Sequence, residues 1–138
     1  LCQVGTDEDI ILRPANRFAF EFIGVSNFIP LTKEGEQIYL QAGNAQIPWA
    51  GPVPEQLDFS KKVELGIRPN DIVFDLDSPI RGIVRRCVFL GSEYDYFVLL
   101  GEKELRVQQS TLDAMQYGVV KEGNEIGLRL LNPRYYES

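Results

Sequence analysis

Paired carboxylates are the first residues to weigh for chemistry. Asp75 and Asp77 stand two apart in a segment with strand character, which would turn both carboxyls to one side, as glycoside hydrolysis requires. Pro79 follows directly, and the pair then edges a turn, where acidic side chains are usually just solvated. Asp7, Glu8 and Asp9 make a second acidic run, suited to the first turn of a helix. Cys87 is flanked by Arg85 and Arg86 and by no base, so it reads as a small core residue and not a nucleophile. The chain contains no histidine, which removes Ser/His/Asp and Cys/His catalysis and every imidazole-bearing metal set within one chain. Cys2 and Cys87 form no C-x-x-C pair and support neither a zinc site nor a disulfide scaffold; a reducing cytoplasm suits them. The strings GxxxxGK[ST], GxGxxG and GxSxG do not occur. No catalytic, cofactor-binding or metal-binding residue is assigned.

Aromatic and basic residues offer a second chemistry. Tyr94, Tyr96 and Phe97 resemble in type the stacking platforms on which OB-folds hold single strands, with Arg81, Arg85 and Arg86 as a cationic groove. The same residues also read as cross-strand packing pairs with solvated arginines. Twenty acidic residues against 14 basic ones give a net charge of −6, which disfavours a phosphate-backbone partner, so no nucleic acid is expected.

The elements that must position these residues follow from periodicity. A chain of 138 residues suits one domain with a small appendage. Thr6 to Leu12 reads as a short helix stopped by Arg13-Pro14, and a second helix begins near Pro14 or Asn16, with Phe18, Phe22 and Ile23 on one face and Gly24 closing it. Beyond Gly24 the pattern turns to short alternating runs. These are 26–31, 37–40, 62–67, 82–90, 94–100, 104–108 and 125–131. The clearest unit is a meander in which Gly91-Ser92-Glu93 and Gly101-Glu102-Lys103 turn the chain, while Tyr94, Tyr96, Val98 and Leu100 share a face and Leu105 and Val107 point inward. Gly43 to Phe59, with three prolines, is expected as an irregular strap that includes Trp49, and Ser110 to Tyr117 as a helical turn. Strict alternation over 82–90 places Val84, Val88 and Leu90 on one face and Ile83, Cys87 and Phe89 on the other, a candidate dimer face. The expected fold is all-β, a small OB-like barrel after a short helical segment. No run is apolar enough to span a membrane, and a start of Leu1-Cys2-Gln3-Val4-Gly5 suggests a piece of a longer protein.

Three stretches then carry a resemblance. Gln3-Val4-Gly5-Thr6-Asp7-Glu8-Asp9-Ile10, followed by Arg13-Pro14-Ala15-Asn16-Arg17-Phe18 and Phe22-Ile23-Gly24-Val25-Ser26-Asn27-Phe28, resembles the junction between the nucleotide-binding domain and the C-terminal TOBE (transport-associated OB) domain of ABC importer ATPase subunits. Leu65-Gly66-Ile67-Arg68-Pro69-Asn70-Asp71-Ile72 is similar to that family's G-I-R-P-E-D-I segment, with Asn70 in place of an acid. Gly82-Ile83-Val84 through Gly123-Asn124-Glu125-Ile126-Gly127-Leu128 is similar to its strand pattern. The resemblance implies a tail of the ATPase domain over 1–24 and a regulatory barrel over 25–138. It implies that ATP and Mg²⁺ belong to a parent ATPase core, with no cofactor or enzymatic activity in this fragment. Arg13, Pro14, Asn16, Arg17, Phe18 and Phe22 become docking or hinge residues; Arg68, Pro69 and Asp71 set a turn. Implied partners are a second copy, the ATPase domain and a membrane permease, on the cytoplasmic face of the membrane. Phe28 and Pro30 resemble importers of ferric iron, polyamines or similar solutes. A small-ligand or oxyanion sensor is the alternative within the same family, since backbone N–H groups can hold an oxyanion without histidine.

Overall fold

A computed structural model of the chain describes residues 3–4, 10–11 and 27–138, the last stretch with Tyr117 as backbone only. The strands are β1 (Gln3–Val4), β2 (Ile10–Ile11), β3 (Asn27–Glu34), β4 (Gln37–Ala42), β5 (Ala45–Trp49), β6 (Val63–Ile67), β7 (Ile72–Phe74), β8 (Arg81–Phe89), β9 (Glu93–Leu100), β10 (Lys103–Ser110), β11 (Glu125–Leu130) and β12 (Arg134–Glu137). One sheet runs β1-β2-β12-β6-β3-β4-β5 and the other β10-β9-β8-β11-β7. The two inner faces make a single core. Ile29, Leu40, Leu65 and Ile67 come from the first sheet, and Val84, Val98, Leu105 and Leu128 from the second. This is the all-β, OB-like architecture expected from the alternating pattern.

The β8–β9–β10 meander forms as expected, with Phe89 opposite Tyr94 and Leu100 opposite Lys103. Tyr96, Val98, Leu100, Leu105 and Val107 are buried on its inner face. The 111–117 helix, α1, is present, and the Ser110 hydroxyl accepts from the Asp113 amide at 3.1 Å to cap its start.

Four expectations need correction. Residues 45–49 are a strand and not part of an irregular strap: Gly43, at a φ of +64°, makes the tight turn that returns the chain from Ala42 to Ala45. Pro48 is tolerated because β5 is an edge strand. Only the connection from 50 to 62 remains irregular, and Val53, Leu57 and Phe59 from it pack on the core. Second, Ile10–Ile11, expected within a helix, pairs parallel to Tyr135–Tyr136, because β12 offers an open edge and β-branched isoleucine suits a strand. The rest of the expected helical tail, including 14–24, lies outside the described residues. Third, the short strands β7 and β12 were not expected; β12 sits between β2 and β6 in the first sheet.

The fourth correction concerns the faces of β8. The register shifts between Val84 and Arg86, a β-bulge at Arg85 that inverts the alternation beyond it. Cys87 therefore lies opposite Tyr96 and packs against the core, on the side of Phe89 and Tyr94, whereas Ile83 lies opposite Leu99 on the outer side. Ile83, Cys87 and Phe89 do not share a face.

Candidate functional site

The residues singled out for chemistry disperse. Asp75 and Asp77 sit in the turn after β7, where the Asp75 carboxylate accepts the Asp77 amide at 3.0 Å and lies 3.8 Å from the Arg129 guanidinium. Tyr94, Tyr96 and Phe97 do not form one stacking platform. Tyr96 is fully buried inside, and Phe97 faces the other way beneath Arg86, whose guanidinium carbon lies 4.7 Å from the ring centre. Arg81 and Arg85 are held by Glu125 at 2.9 Å and Glu104 at 3.1 Å. Arg68 to Asp71 forms one 3-10 turn: the Asp71 amide donates to the Arg68 carbonyl at 3.0 Å, and Pro69 is buried at its start. Arg13, Pro14, Asn16, Arg17, Phe18 and Phe22 lie outside the described residues. Among the described residues no group of three or more Cys, Asp or Glu side chains is disposed to hold a metal ion.

What the fold does assemble is a seam. β10 and β7 are the two edges of the five-stranded sheet, and the sheet curls until they face each other. At one end of the β10 edge the Asn27 side chain acts as a substitute strand. Its amide nitrogen donates to the Arg106 carbonyl at 2.8 Å, and its carbonyl oxygen accepts the Arg106 amide at 2.9 Å. One side chain thus ties β3 to β10 and joins the two sheets. The Arg106 guanidinium in turn grips the Asp95 carboxylate, with its Nε at 3.1 Å from Oδ2. Asp95 is buried, and its Oδ1 has no partner. A buried carboxylate held through one oxygen by two guanidinium N–H groups fixes geometry more than it adds stability.

Beyond that clasp the seam opens into a groove of about 880 Å³. Phe74, Val107, Val120 and Ile126 form its apolar lining, and Asp75, Asp77, Asp113 and Glu125 supply its charge, against one cation, Arg129. Arg129 is spent on Asp75, and Glu125 on Arg81. Asp77 and Asp113 are both exposed and have no ion-pair partner among the described residues. The groove therefore repels anions and suits a cationic group beside an apolar one.

Tyr96 anchors the groove's far wall. Its hydroxyl donates to Gln109 Oε1 at 3.0 Å and accepts the Val120 amide at 3.3 Å, tying the loop after α1 to the sheet. Burial pushes its pKa to about 12, partly offset by the Val120 bond, so the phenol stays neutral. Burial also raises the Cys87 thiol, with the Glu122 carboxylate adding to the shift, which leaves it a poor nucleophile. On the opposite side of the barrel, Tyr135 donates to the Pro52 carbonyl at 2.9 Å and accepts from the Trp49 indole at 3.3 Å, pinning the 50–62 connection.

Sequence reasoning missed Asn27, Asp95 and Arg106 as a unit. Asn27 and Arg106 are 79 positions apart, and no local pattern links them. The only available signal was Asp95 itself, a charge within the otherwise apolar run 94–100.

Comparison with known proteins places this geometry. The family model described as "TOBE domain" matches residues 65–133. The spermidine/putrescine import ATP-binding protein PotA of Acetivibrio thermocellus is 37% identical over 103 residues, covering 70% of this chain and 27% of that protein. The Fe(3+) ions import ATP-binding protein FbpC of Fusobacterium nucleatum is 30% identical over 132 residues, covering 92% of this chain and 34% of that protein. The maltose/maltodextrin import ATP-binding protein MalK of Mannheimia succiniciproducens is 30% identical, covering 97% and 38%. The chain thus spans about a quarter to two fifths of the length of these curated relatives. Among solved structures, the cytoplasmic molybdate-binding protein ModG with molybdate bound is similar in fold, with a TM-score of 0.56 at 18% identity over 79% of this chain and 94% of that one. The strand pattern from β6 to β11, its seam and the family match over half the sequence agree: the chain belongs to the TOBE domain family.

Proposed function

We propose that residues 25–138 are the C-terminal regulatory domain of the ATP-binding subunit of an ABC-type importer. The observation that carries this reading is the kind of protein matched: PotA, FbpC and MalK are named for different solutes, yet all are import ATP-binding proteins. The domain therefore follows the subunit class and not the solute. Its role is to couple and steady the ATPase dimer, and ATP and Mg²⁺ act in the ATPase core of the parent protein. The location is the cytoplasmic face of the membrane, beside the permease. Ferric iron and polyamines are the solutes favoured by the resemblance at Phe28 and Pro30, although Phe28 is buried against Tyr136 and cannot itself touch a solute.

A second copy of the chain is the proposed partner, by a surface different from the one the alternation suggested. The Thr111 amide donates to the Ser92 carbonyl at 3.2 Å, which sets the start of α1 beside the β8–β9 turn. Phe89, Leu90, Leu112 and Met115 are all exposed near that end of the barrel, an apolar set that an isologous contact would cover. The test is the coding sequence upstream of Leu1 together with the parent subunit in proteoliposomes containing its permease. A Walker A motif upstream is expected, with ATP turnover that becomes uncoupled from solute uptake when residues 25–138 are removed. An upstream sequence without an ATPase core, or coupled transport that survives the truncation, overturns the reading.

A further inference from the structure

The groove at the barrel seam is bounded by two strand edges that point unpaired backbone into it. In β10 the Arg106 N–H and C=O face away from β9, toward the Asn27 side chain. Backbone direction repeats every second residue in an antiparallel strand, so the N–H and C=O of Gln108 face the same way, into the groove. On the other wall, Asp75 donates to the Gly127 carbonyl and Leu131 donates to the Asp71 carbonyl, so these β7-side residues face β11. Phe74, one residue out of phase, then points its N–H and C=O into the groove. Neither Gln108 nor Phe74 has a backbone partner outside its own sheet among the described residues.

Asn27 shows what this edge accepts. It satisfies Arg106 with one donor and one acceptor, as a neighbouring strand would, and the next outward-facing residue, Gln108, has no such substitute. Around it stand the apolar side chains of Val107, Val120 and Ile126 and the exposed carboxylates of Asp77 and Asp113.

We propose that this groove binds an extended peptide segment of another protein that alternates apolar and lysine or arginine residues, adding it as a strand along β10 at Gln108. Main-chain bonds to Gln108 supply the pairing. Period-two alternation sends apolar side chains toward Val107 and Ile126, and the basic ones reach Asp77 and Asp113 at the rim. This goes beyond regulation of an ATPase dimer, because it assigns a surface and the chemistry of what occupies it.

The test uses the full 138-residue chain and three labelled hexapeptides: alternating Lys-Val, alternating Glu-Val, and alternating Lys-Pro, which keeps the charge but loses every second N–H. Binding is read by fluorescence anisotropy, and its location by the amide resonances of Gln108 and Phe74. The Lys-Val peptide is expected to bind at least about tenfold tighter than the other two, to shift both amides, and to weaken with salt. Gln108→Pro removes an outward N–H and no β9–β10 ladder bond, so it is expected to weaken binding about tenfold with the fold intact. If that variant does not fold, the exposed pair D77K/D113K tests the rim instead and is expected to abolish the preference for Lys-Val over Glu-Val. Equal affinity for Lys-Val and Lys-Pro, no binding at millimolar peptide, or binding unchanged in the variants overturns the proposal.

Discussion

Replacing Asn27 with alanine tests how the barrel is closed. The substitution removes the two bonds to the Arg106 backbone, at 2.8 and 2.9 Å, from a residue that is only 8% exposed. Each neutral bond contributes about 1 kcal/mol net, and an Arg106 amide and carbonyl left without partners cost about 1–3 kcal/mol more where water reaches them poorly. The expected loss is therefore about 3–5 kcal/mol, a large part of the stability of a domain this size. Urea unfolding followed by the fluorescence of Trp49, the sole tryptophan, should show the midpoint falling by about 1–3 M with little change in slope. Amide exchange localises the effect. The Arg106 amide should lose protection well beyond that of Leu105, which pairs with Val98 and is unaffected by Asn27. A loss below about 0.5 kcal/mol, together with unchanged protection at Arg106, would refute the clasp as the element joining the sheets.

Two further outcomes follow from the same geometry. In Gly127→Ala the added Cβ runs into the Asp75 carbonyl, whose residue is itself bonded to Gly127, so the β7–β11 pairing must open; a loss of about 3 kcal/mol is expected in thermal or urea unfolding, and a variant as stable as the parent would contradict it. The Tyr96 phenol, pushed by burial to about 12 when folded, ionises near 10 in the unfolded chain, so the unfolded state sheds its proton first. Stability from this group is fully present below pH 10 and declines by about 1.4 kcal/mol per pH unit between 10 and 12. Tyr96→Phe should remove that slope, and an unchanged alkaline profile would speak against it.

How much was legible depended on whether a signal was local. The β8–β10 meander could be read because apolar alternation and glycine turns repeat every eight to ten positions, and each is decided by adjacent residues. β5 was hidden because three nearby prolines outweighed the Gly43-Asn44 turn, although a proline costs an edge strand little. β12 has only four residues after Pro133, and its strand state is set by β2 and β6 on either side. The bulge at Arg85 was invisible for a different reason. Arg85 and Arg86 are both exposed polar residues, so the pattern tolerates an inserted position between Val84 and Cys87 without any apolar residue looking misplaced. That single inserted residue moved Cys87 from the candidate dimer face to the core. The family resemblance supplied the fold, but the groove had no sequence signature, since its walls come from β7, β10 and the loop before β11.

Charge placement in the seam groove argues against an anion there. ModG is described as binding molybdate, yet likeness of fold at 18% identity says nothing about the site. Here four of the five arginines of the second sheet are committed to a carboxylate, Arg81 to Glu125, Arg85 to Glu104, Arg106 to Asp95 and Arg129 to Asp75, and the fifth, Arg86, lies over the Phe97 ring outside the groove. Pairing of this kind consumes cations one for one, so the surplus that makes the chain −6 must appear as unpaired acid. Part of it collects at Asp77 and Asp113, on the rim of the seam groove. An oxyanion entering there would meet two uncompensated carboxylates and no free guanidinium, an arrangement that excludes it by several times thermal energy at close range. The same arrangement draws in a cation. The seam groove is thus charged against an oxyanion, and the oxyanion-sensor reading would need a surface other than this seam.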